Sequence, residues 1–225
     1  ALFYIGGNDS MDTIKMLSDY AKMNNRKELF MGIPKTIDND LPITDHCPGY
    51  GSAVKYIATS IKEIIRDNAS FGAKKPTVCI VEIMGRHAGW LTAAASLSKS
   101  SDCEGVDAIY LPENTFDIQE FVNNIKDLSK KKSSIVIAVS EGITTKDGKF
   151  VCEIGDEKKV DAFGHKQLSG TASRLASIVA SETGLKTRAI EFSTLQRAAT
   201  HLASLTDINE AYEVGAKAVS EANNG

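Results

Sequence analysis

The chain has 225 residues, 42% hydrophobic and 24% charged, with 26 basic and 29 acidic side chains and a net charge of −3. That balance offers no basic field for nucleic acid, no polybasic or lipidation signal for a membrane, and no apolar run near the roughly 18 residues of a membrane span. The length allows one large core or two small ones.

The sequence opens at Ala1-Leu2-Phe3-Tyr4-Ile5, an apolar run that reads as a buried strand already under way, with no initiator Met. The chain is therefore expected to be a piece of a longer protein. Gly6-Gly7-Asn8-Asp9-Ser10 follows. Met11, Ile14, Leu17, Tyr20 and Ala21 then recur at helical spacing and predict a helix to about Met23, with Asp9 or Ser10 as N-cap. A strand, a Gly-Gly turn and a helix let backbone N–H groups meet a phosphate at the positive helix end, although Gly-Gly before a helix is also common packing chemistry.

Leu29-Phe30-Met31 reads as a short strand that leads into Gly32-Ile33-Pro34-Lys35-Thr36-Ile37-Asp38-Asn39-Asp40. Pro34 has no N–H to donate and stops strand pairing. The loop after it concentrates one cation, one hydroxyl and two carboxylates. Loops at the carboxyl ends of strands in open α/β sheets are where ligands sit. Phosphoryl transfer needs an anion clamp, an acceptor for a hydroxyl proton and a carboxylate near a divalent metal, and this loop has the residues for all three. Asp-Asn-Asp after a proline is equally an ordinary turn composition.

Asp45 to Gly51 is turn-rich, with Pro48 and Gly49 as a plausible hinge, and Ser52 to Arg66 is helical with Val54, Ile57, Ala58, Ile61, Ile64 and Ile65 on one face. Asp67 to Pro76 reads as a polar connection. Thr77 to Met84 reads as a central parallel strand holding one acid, Glu82, which such a strand tolerates only when paired. A hydrogen-bonded structural acid is the favoured reading of Glu82. Gly85-Arg86-His87-Ala88-Gly89 opens a helix from Trp90 to about Leu97. The fork of Arg86 suits a phosphate, and a solvated loop cation is the alternative. His87 is read as a capping or packing histidine.

Val106 to Leu111 is a further strand, and Asp117 starts an amphipathic helix that Lys130-Lys131-Lys132 ends. Ile135 to Val139 is the cleanest buried strand and delivers Ser140-Glu141-Gly142 to the edge of the earlier loops. Glu141 suits either a sugar hydroxyl or a turn cap. Thr144 to Lys149 reads as a tight turn around Asp147-Gly148, and Gly164-His165 leads a helix to Ala180 with Leu168, Leu175 and Ile178 inward. Lys186 to Phe192 is a strand, followed by Thr194-Leu195-Gln196-Arg197. A last helix spans Asp207 to Ala222 with Ile208, Ala211, Val214, Ala218 and Val219 buried. Cys47, Cys79, Cys103 and Cys152 include no Cys-x-x-Cys pair, so a zinc site and a disulfide framework are both disfavoured, and cytoplasm is the expected compartment. Six strands alternating with helices make an α/β protein with parallel sheets.

Gly6-Gly7-Asn8-Asp9-Ser10, Pro34 to Asp40, Met84-Gly85-Arg86, Ser140-Glu141-Gly142 and Gln196-Arg197 stand in the order found in the phosphofructokinases, which the chain resembles over essentially its whole length. The resemblance implies two Rossmann-like lobes with parallel sheets flanked by helices. Residues 1–48 are then part of a phosphoryl-donor lobe, 49–195 a fructose 6-phosphate lobe, and 196–225 a return to the donor lobe. It implies phosphoryl transfer to the 1-hydroxyl of fructose 6-phosphate, a step of glycolysis, with Mg2+ and a homo-oligomer, dimer or tetramer. Asp38 looks like the base, Thr36 a contact to the phosphoryl group or the sugar, and Asp40 a support for magnesium or the loop. Gly7 and Ser10 resemble donor-binding residues. Ile37, Met84, Gly85, Arg86, Glu141, Thr194 and Arg197 match positions that hold the sugar phosphate, Arg197 at its 6-phosphate. Arg188 is similar to an arginine that crosses to a neighbouring subunit.

Asp9 and Lys35 stand where ATP-using members carry glycines, and an aspartate there repels the place of an α-phosphate. The resemblance thus favours diphosphate over ATP as donor. Asn8 departs from an aspartate linked to magnesium, Thr194 from a histidine, and Thr77 from an arginine. The family's Gly-rich donor loop and C-terminal segment do not appear in the sequence, so the piece alone is expected to be inactive. The remaining alternatives are an ATP-dependent enzyme, a non-catalytic sugar-phosphate-binding subunit, which intact Asp38 and Asp40 speak against, and another kinase sharing the Gly-Gly turn.

Overall fold

The structure, a computed structural model, describes residues 1–71, 75–154 and 170–224. Its six strands are β1 (Leu2–Gly6), β2 (Phe30–Pro34), β3 (Thr77–Ile83), β4 (Ala108–Tyr110), β5 (Ser134–Ser140) and β6 (Lys186–Glu191). The helices between and after them are α1 (Asn8–Met23), α2 (Tyr50–Ser70), α3 (Trp90–Ala93), α4 (Ile118–Ser129), α5 (Thr171–Thr183) and α6 (Leu205–Asn224). Among the described residues these six strands pair in parallel, as the alternation of strands and helices requires. The chain divides into two compact units, Ala1–Lys55 with Ala199–Gly225, and Tyr56–Ala198. Among the described residues no helix is long and apolar enough to cross a membrane.

In the first unit β1 and β2 pair in a two-stranded parallel sheet, with α1 packed on both strands and α6 on β2. The apolar run of β1 is not buried as its composition suggests. Leu2, Phe3, Tyr4 and Ile5 are each between 41% and 64% exposed, because β1 pairs with β2 alone and no described element covers its far side. The buried face of α1 narrows to Ile14 and Ala21, and Leu17 and Tyr20 are exposed. On α6 the expected face is corrected as well. Ala218 is buried, whereas Ile208, Ala211 and Val219 are exposed, and the buried residue of its first turn is the acid Asp207.

Asp207 has a partner set that accounts for its burial. Its Oδ1 accepts from the Gly49 N–H at 2.7 Å, and its Oδ2 accepts from the Ser52 N–H at 3.2 Å and from the Ser52 hydroxyl. Ser52 Oγ in turn accepts from the Ser204 N–H at 3.1 Å. A carboxylate from α6 therefore caps the first turn of α2, where helix N–H groups lack partners and the dipole favours negative charge. Gly49, at φ +101°, brings a Cβ position within 3.2 Å of Ile37 Cγ2, so this cap also fixes the floor beneath the loop that follows β2.

The second unit is built on a four-stranded sheet in the order β4-β5-β3-β6. All seven residues of β3 are buried, as a strand covered on both faces requires. Val78 and Ile80 of β3 and Ile135, Ile137 and Val139 of β5 pack with Phe121 and Ile125 of α4 and Leu175 and Val179 of α5. Cys79 is a core filler, as its apolar strand suggests, and burial pushes its thiol up to about 11.

Several element ends differ from the sequence reading. The supposed connection after Arg66 is still helix as far as Ser70, held by buried Asn68, whose side-chain amide donates to Ser134 Oγ at 2.8 Å. The stretch after Trp90 is α-helical only to Ala93 and becomes 3₁₀ from Ala94 to Ser98. The strand expected over Val106 to Leu111 is three residues long, as befits an edge strand beside Pro112. Thr145 and Lys149 close the expected tight turn, with the Thr145 N–H donating to the Lys149 carbonyl at 3.0 Å. The proposed start of the next helix at Gly164-His165, and Leu168 with it, lies outside the described residues.

Replacing Asp207 with Ala strands two N–H groups at the start of α2 and is expected to destabilise the protein by about 2–4 kcal/mol. Asp207→Asn, which keeps an acceptor, is expected to lose about half as much. The urea midpoint of each variant checks this, and equal stability of Asp207→Ala and wild type would refute the capping role.

Candidate active site

In the first unit the register of the two strands places the chemistry. Gly6 and Pro34 are partners, so the Gly6–Ser10 turn and the Lys35–Asp40 loop leave from one edge, tied by the Lys35 N–H donating to the Gly6 carbonyl at 2.8 Å. Glycine is required at position 6, where a Cβ would fall 2.1 Å from Ser10 Oγ. The helix begins at Asn8 with Gly7 as N-cap, which corrects the expectation that Asp9 or Ser10 caps it by side chain. Asp9 instead lies exposed in the first turn, where its charge complements the positive end of α1. Asn8 Nδ2 donates to Asp40 Oδ2 at 2.8 Å and joins the two loops.

The loop around Asp38 is preorganised by its neighbours. Thr36 Oγ1 accepts from the Asp38 N–H at 3.2 Å. Asn39 is buried and left-handed at φ +54°, a conformation that asparagine tolerates better than most residues. Its Oδ1 accepts from the Cys47 N–H at 2.8 Å and its Nδ2 donates to the Asp45 carbonyl at 3.1 Å. One side chain thus replaces two backbone partners and holds the returning segment, which fixes half-buried Asp38 and exposed Asp40 on either side of it. Apart from the identity of the residue, an Asn between two acids in a turn, nothing in the local pattern marks this role for Asn39.

In the second unit Ile83 of β3 and Ser140 of β5 are register partners, so Met84-Gly85-Arg86 and Glu141-Gly142 also leave from one edge. The Glu141 N–H donates to the Ile83 carbonyl at 3.0 Å, and the Gly85 N–H donates to Glu141 Oε1 at 3.3 Å. Ser140 Oγ donates to the Gly85 carbonyl at 2.5 Å. A Cβ on Gly142 would lie 2.0 Å from the Arg86 carbonyl oxygen, so only glycine lets the two loops touch. Gln196 is buried beneath them. Its Oε1 accepts from the Met84 N–H at 3.2 Å and its Nε2 donates to the Ser193 carbonyl at 2.9 Å. This anchors the turn that carries Thr194 and Arg197, both exposed. Gln196 stands beside Arg197 in the sequence with no local feature that marks this role.

Glu82 is the structural acid that the sequence suggests. It is buried and accepts from the Ala172 N–H at 2.9 Å. Burial pushes its carboxyl up to about 7; the like charges of Glu191 and Glu141 push the same way, and the Ala172 N–H opposes them. His87 is exposed.

The structure therefore brings Met84, Gly85, Arg86 and Glu141 together, with Arg197 carried on the adjoining turn. It does not bring Arg188 to them. Arg188 pairs in register with Cys79, short of the strand ends, and its guanidinium stacks on Phe71 at 3.8 Å and lies 3.6 Å from Asp67. Thr77 lies at the opposite end of the sheet from these loops. A cavity of about 560 Å³ opens at that opposite end, lined in part by Arg66, Asp102, Glu104, Asp107 and Lys132. Two of its cations are paired, Arg66 with Asp102 at 2.5 Å and Lys132 with Glu104 and Asp107 at 2.8 Å each.

Comparison with known proteins decides the family. The phosphofructokinase sequence profile matches residues 1–221. The chain belongs to the phosphofructokinase family. It is 45% identical over 222 residues to a pyrophosphate–fructose 6-phosphate 1-phosphotransferase of Xanthomonas campestris, covering 99% of this chain and 53% of that one. It is 43% identical over 223 residues to the protein of the same description in Halomonas elongata, covering 99% and 52%. The crystal structure of a pyrophosphate-dependent phosphofructokinase from Nitrosospira multiformis is similar with a TM-score of 0.84 and 40% identity, over 99% of this chain and 52% of that one. The phosphofructokinase chain thus has the α/β fold expected of it and spans about half the length of the curated relatives it matches.

The raised carboxyl of Glu82 has a pH signature. Between the ordinary value of 4.5 and the folded value of about 7 the folded state binds the extra proton, so stability is fully present below 4.5 and falls as pH rises through 7. The loss is on the order of 3 kcal/mol. Thermal melts at pH 5 and pH 8 are expected to show this fall in wild type and to show it removed in Glu82→Gln. Parallel pH curves for the two proteins would contradict the assignment.

Proposed function

We propose that the protein carrying this chain transfers a phosphoryl group from diphosphate to the 1-hydroxyl of fructose 6-phosphate. The products are fructose 1,6-bisphosphate and phosphate. The observation that carries the reading is the Asn39-pinned loop, which presents Asp38 between a lysine and a second carboxylate at the end of a parallel strand. The phosphotransferase descriptions of the relatives and the intact motifs in both units support it.

Asp38 takes the proton of the 1-hydroxyl as the oxygen attacks phosphorus, and the P–O bond of the donor breaks to release phosphate. Asp38 is suited to this because its backbone is held by Thr36 and the following Asn39, so little reorganisation is needed at the moment of transfer. Thr36 and Ile37 line the acceptor. Gly7 and Ser10, at the start of α1, receive the donor phosphates on backbone N–H groups. In the second unit Arg86 and the Met84-Gly85 backbone bind the sugar phosphate, Glu141 accepts sugar hydroxyls, and Arg197 with Thr194 takes the 6-phosphate. Arg188 is assigned to a neighbouring subunit of a homo-oligomer.

The donor set fits magnesium. Asp40 offers hard carboxylate oxygens, and Mg2+ is commonly held by one or two carboxylates together with substrate phosphates. Asn8 is bonded to Asp40 and serves that carboxylate rather than the ion. Held there by Asp40, magnesium would supply charge neutralisation for the phosphates.

The donor follows from charge. Exposed Asp9 sits where backbone N–H groups of α1 open to a phosphate, and a third phosphate of a nucleotide meets its charge. Lys35 adds a cation that suits a short donor.

The whole protein, assayed with fructose 6-phosphate and Mg2+, is expected to show kcat/KM with diphosphate about 100-fold or more above that with ATP. Asp9→Gly is expected to narrow the gap. A higher kcat/KM with ATP would overturn the donor assignment.

A further inference from the structure

The reaction leaves one buried acid unused. β3 is a strand of otherwise uncharged residues, and Glu82 is its one acid, held among like charges from Glu141 and from Glu191 on β6. A strand in the middle of a sheet has no need of a carboxylate, and an apolar side chain there avoids the desolvation of a charge.

What Glu82 holds is the start of α5. That helix begins at Thr171 after Gly170, which lies in the left-handed region at φ +91° and offers no side-chain cap. Helix N-termini leave N–H groups without intrahelical partners, and a serine, threonine or aspartate at the cap position is the usual local solution. Here the acceptor for the Ala172 N–H comes from a strand 90 residues earlier. Ala172 and Thr171 are both fully buried, so water does not stand in.

The next residue carries the connection to the sugar-phosphate loops. Thr171 Oγ1 donates to the Glu141 carbonyl at 3.2 Å. The Glu141 N–H donates to the Ile83 carbonyl at 3.0 Å, one residue along from Glu82, and Glu141 Oε1 accepts from the Gly85 N–H at 3.3 Å. The contacts form a closed ring from Glu82 to Ala172, by the peptide bond to Thr171, across to Glu141, and back through Ile83 to Glu82. Two of the groups assigned to the sugar phosphate, Glu141 and the Gly85 backbone, are members of the ring or bonded to it.

We propose that Glu82 is a positioning residue for sugar-phosphate binding: by accepting the Ala172 N–H it fixes the first turn of α5, and through Thr171 it fixes the Glu141 loop against Gly85. Glu82 touches no substrate in this account. Its effect is confined to the second unit, and the part of the test read by kinetics rests on the function proposed above.

The test uses the whole protein and three variants. Glu82→Gln keeps an acceptor oxygen in the same place, Glu82→Leu fills the space without one, and Thr171→Val removes the second link while keeping the shape. Glu82→Leu and Thr171→Val are expected to raise KM for fructose 6-phosphate about tenfold or more and to leave KM for diphosphate within about twofold, whereas Glu82→Gln stays within about threefold of wild type for both. A merely structural role would change both constants together or neither.

Hydrogen–deuterium exchange gives a readout free of the assay. Peptides containing Ala172 and Glu141 are expected to exchange faster in Glu82→Leu, with α4 unchanged. Wild-type KM and wild-type exchange in Glu82→Leu would overturn the proposal. If that variant does not fold, Thr171→Val decides by the same selective rise in KM, and an unchanged KM overturns it. If wild type itself does not act on fructose 6-phosphate with diphosphate, the functional reading fails, and the exchange result still decides whether Glu82 positions the Glu141 loop.

Discussion

Parallel pairing in register decides where the candidate site's loops lie. Gly6 opposite Pro34 and Ile83 opposite Ser140 set four loops leaving from the carboxyl ends of strands, two in each unit. Parallel strands require crossovers, and the helices that make them pack on the sheet faces and leave the loops at the edge. The loops that carry Asp38, Arg86 and Glu141 are therefore consequences of the sheet. A one-residue slip of β5 against β3 would turn Glu141 to the other face.

The loops are held in shape by side chains that replace missing backbone partners. Asn39 spans the return from Asp38 to Cys47, Asp207 caps α2, Gln196 anchors the Arg197 turn beneath Met84, and Glu82 caps α5. Each is buried, and each connects segments that the chain brings together only by folding. Buried polar groups of this kind are costly when unpaired and specific when satisfied, so they define one loop geometry among many. A site for phosphoryl transfer draws its catalysis from positioning and charge, which is the property such anchors supply.

The α/β class and the six strands were legible because alternating apolar runs and helical periodicity report burial directly. The strand ends carrying Lys35, Gly85 and Glu141 were legible for the same reason, since Pro34 and the glycines mark where pairing stops. Burial of β1 was misread because composition reports what a strand is able to pack against, and no described element covers the far side of this one. The inward face of α6 was misread because its anchor is Asp207, an acid that periodicity counts as polar. Gln196 and Asn39 gave no role for a related reason: their partners are backbone atoms of other segments, which no local pattern reveals. Glu82 was legible as a paired acid, and its partner on α5 was not.

In the proposed reaction one carboxylate in a preorganised turn takes the proton of a sugar alcohol. The most direct measurement is turnover and fructose 6-phosphate binding in the whole protein carrying Asp38→Asn, a change of nearly equal size that removes the base. In this variant kcat is expected to fall roughly 10²–10⁴-fold, with sugar-phosphate affinity within about threefold of wild type. An unchanged kcat would contradict the proposed role of Asp38.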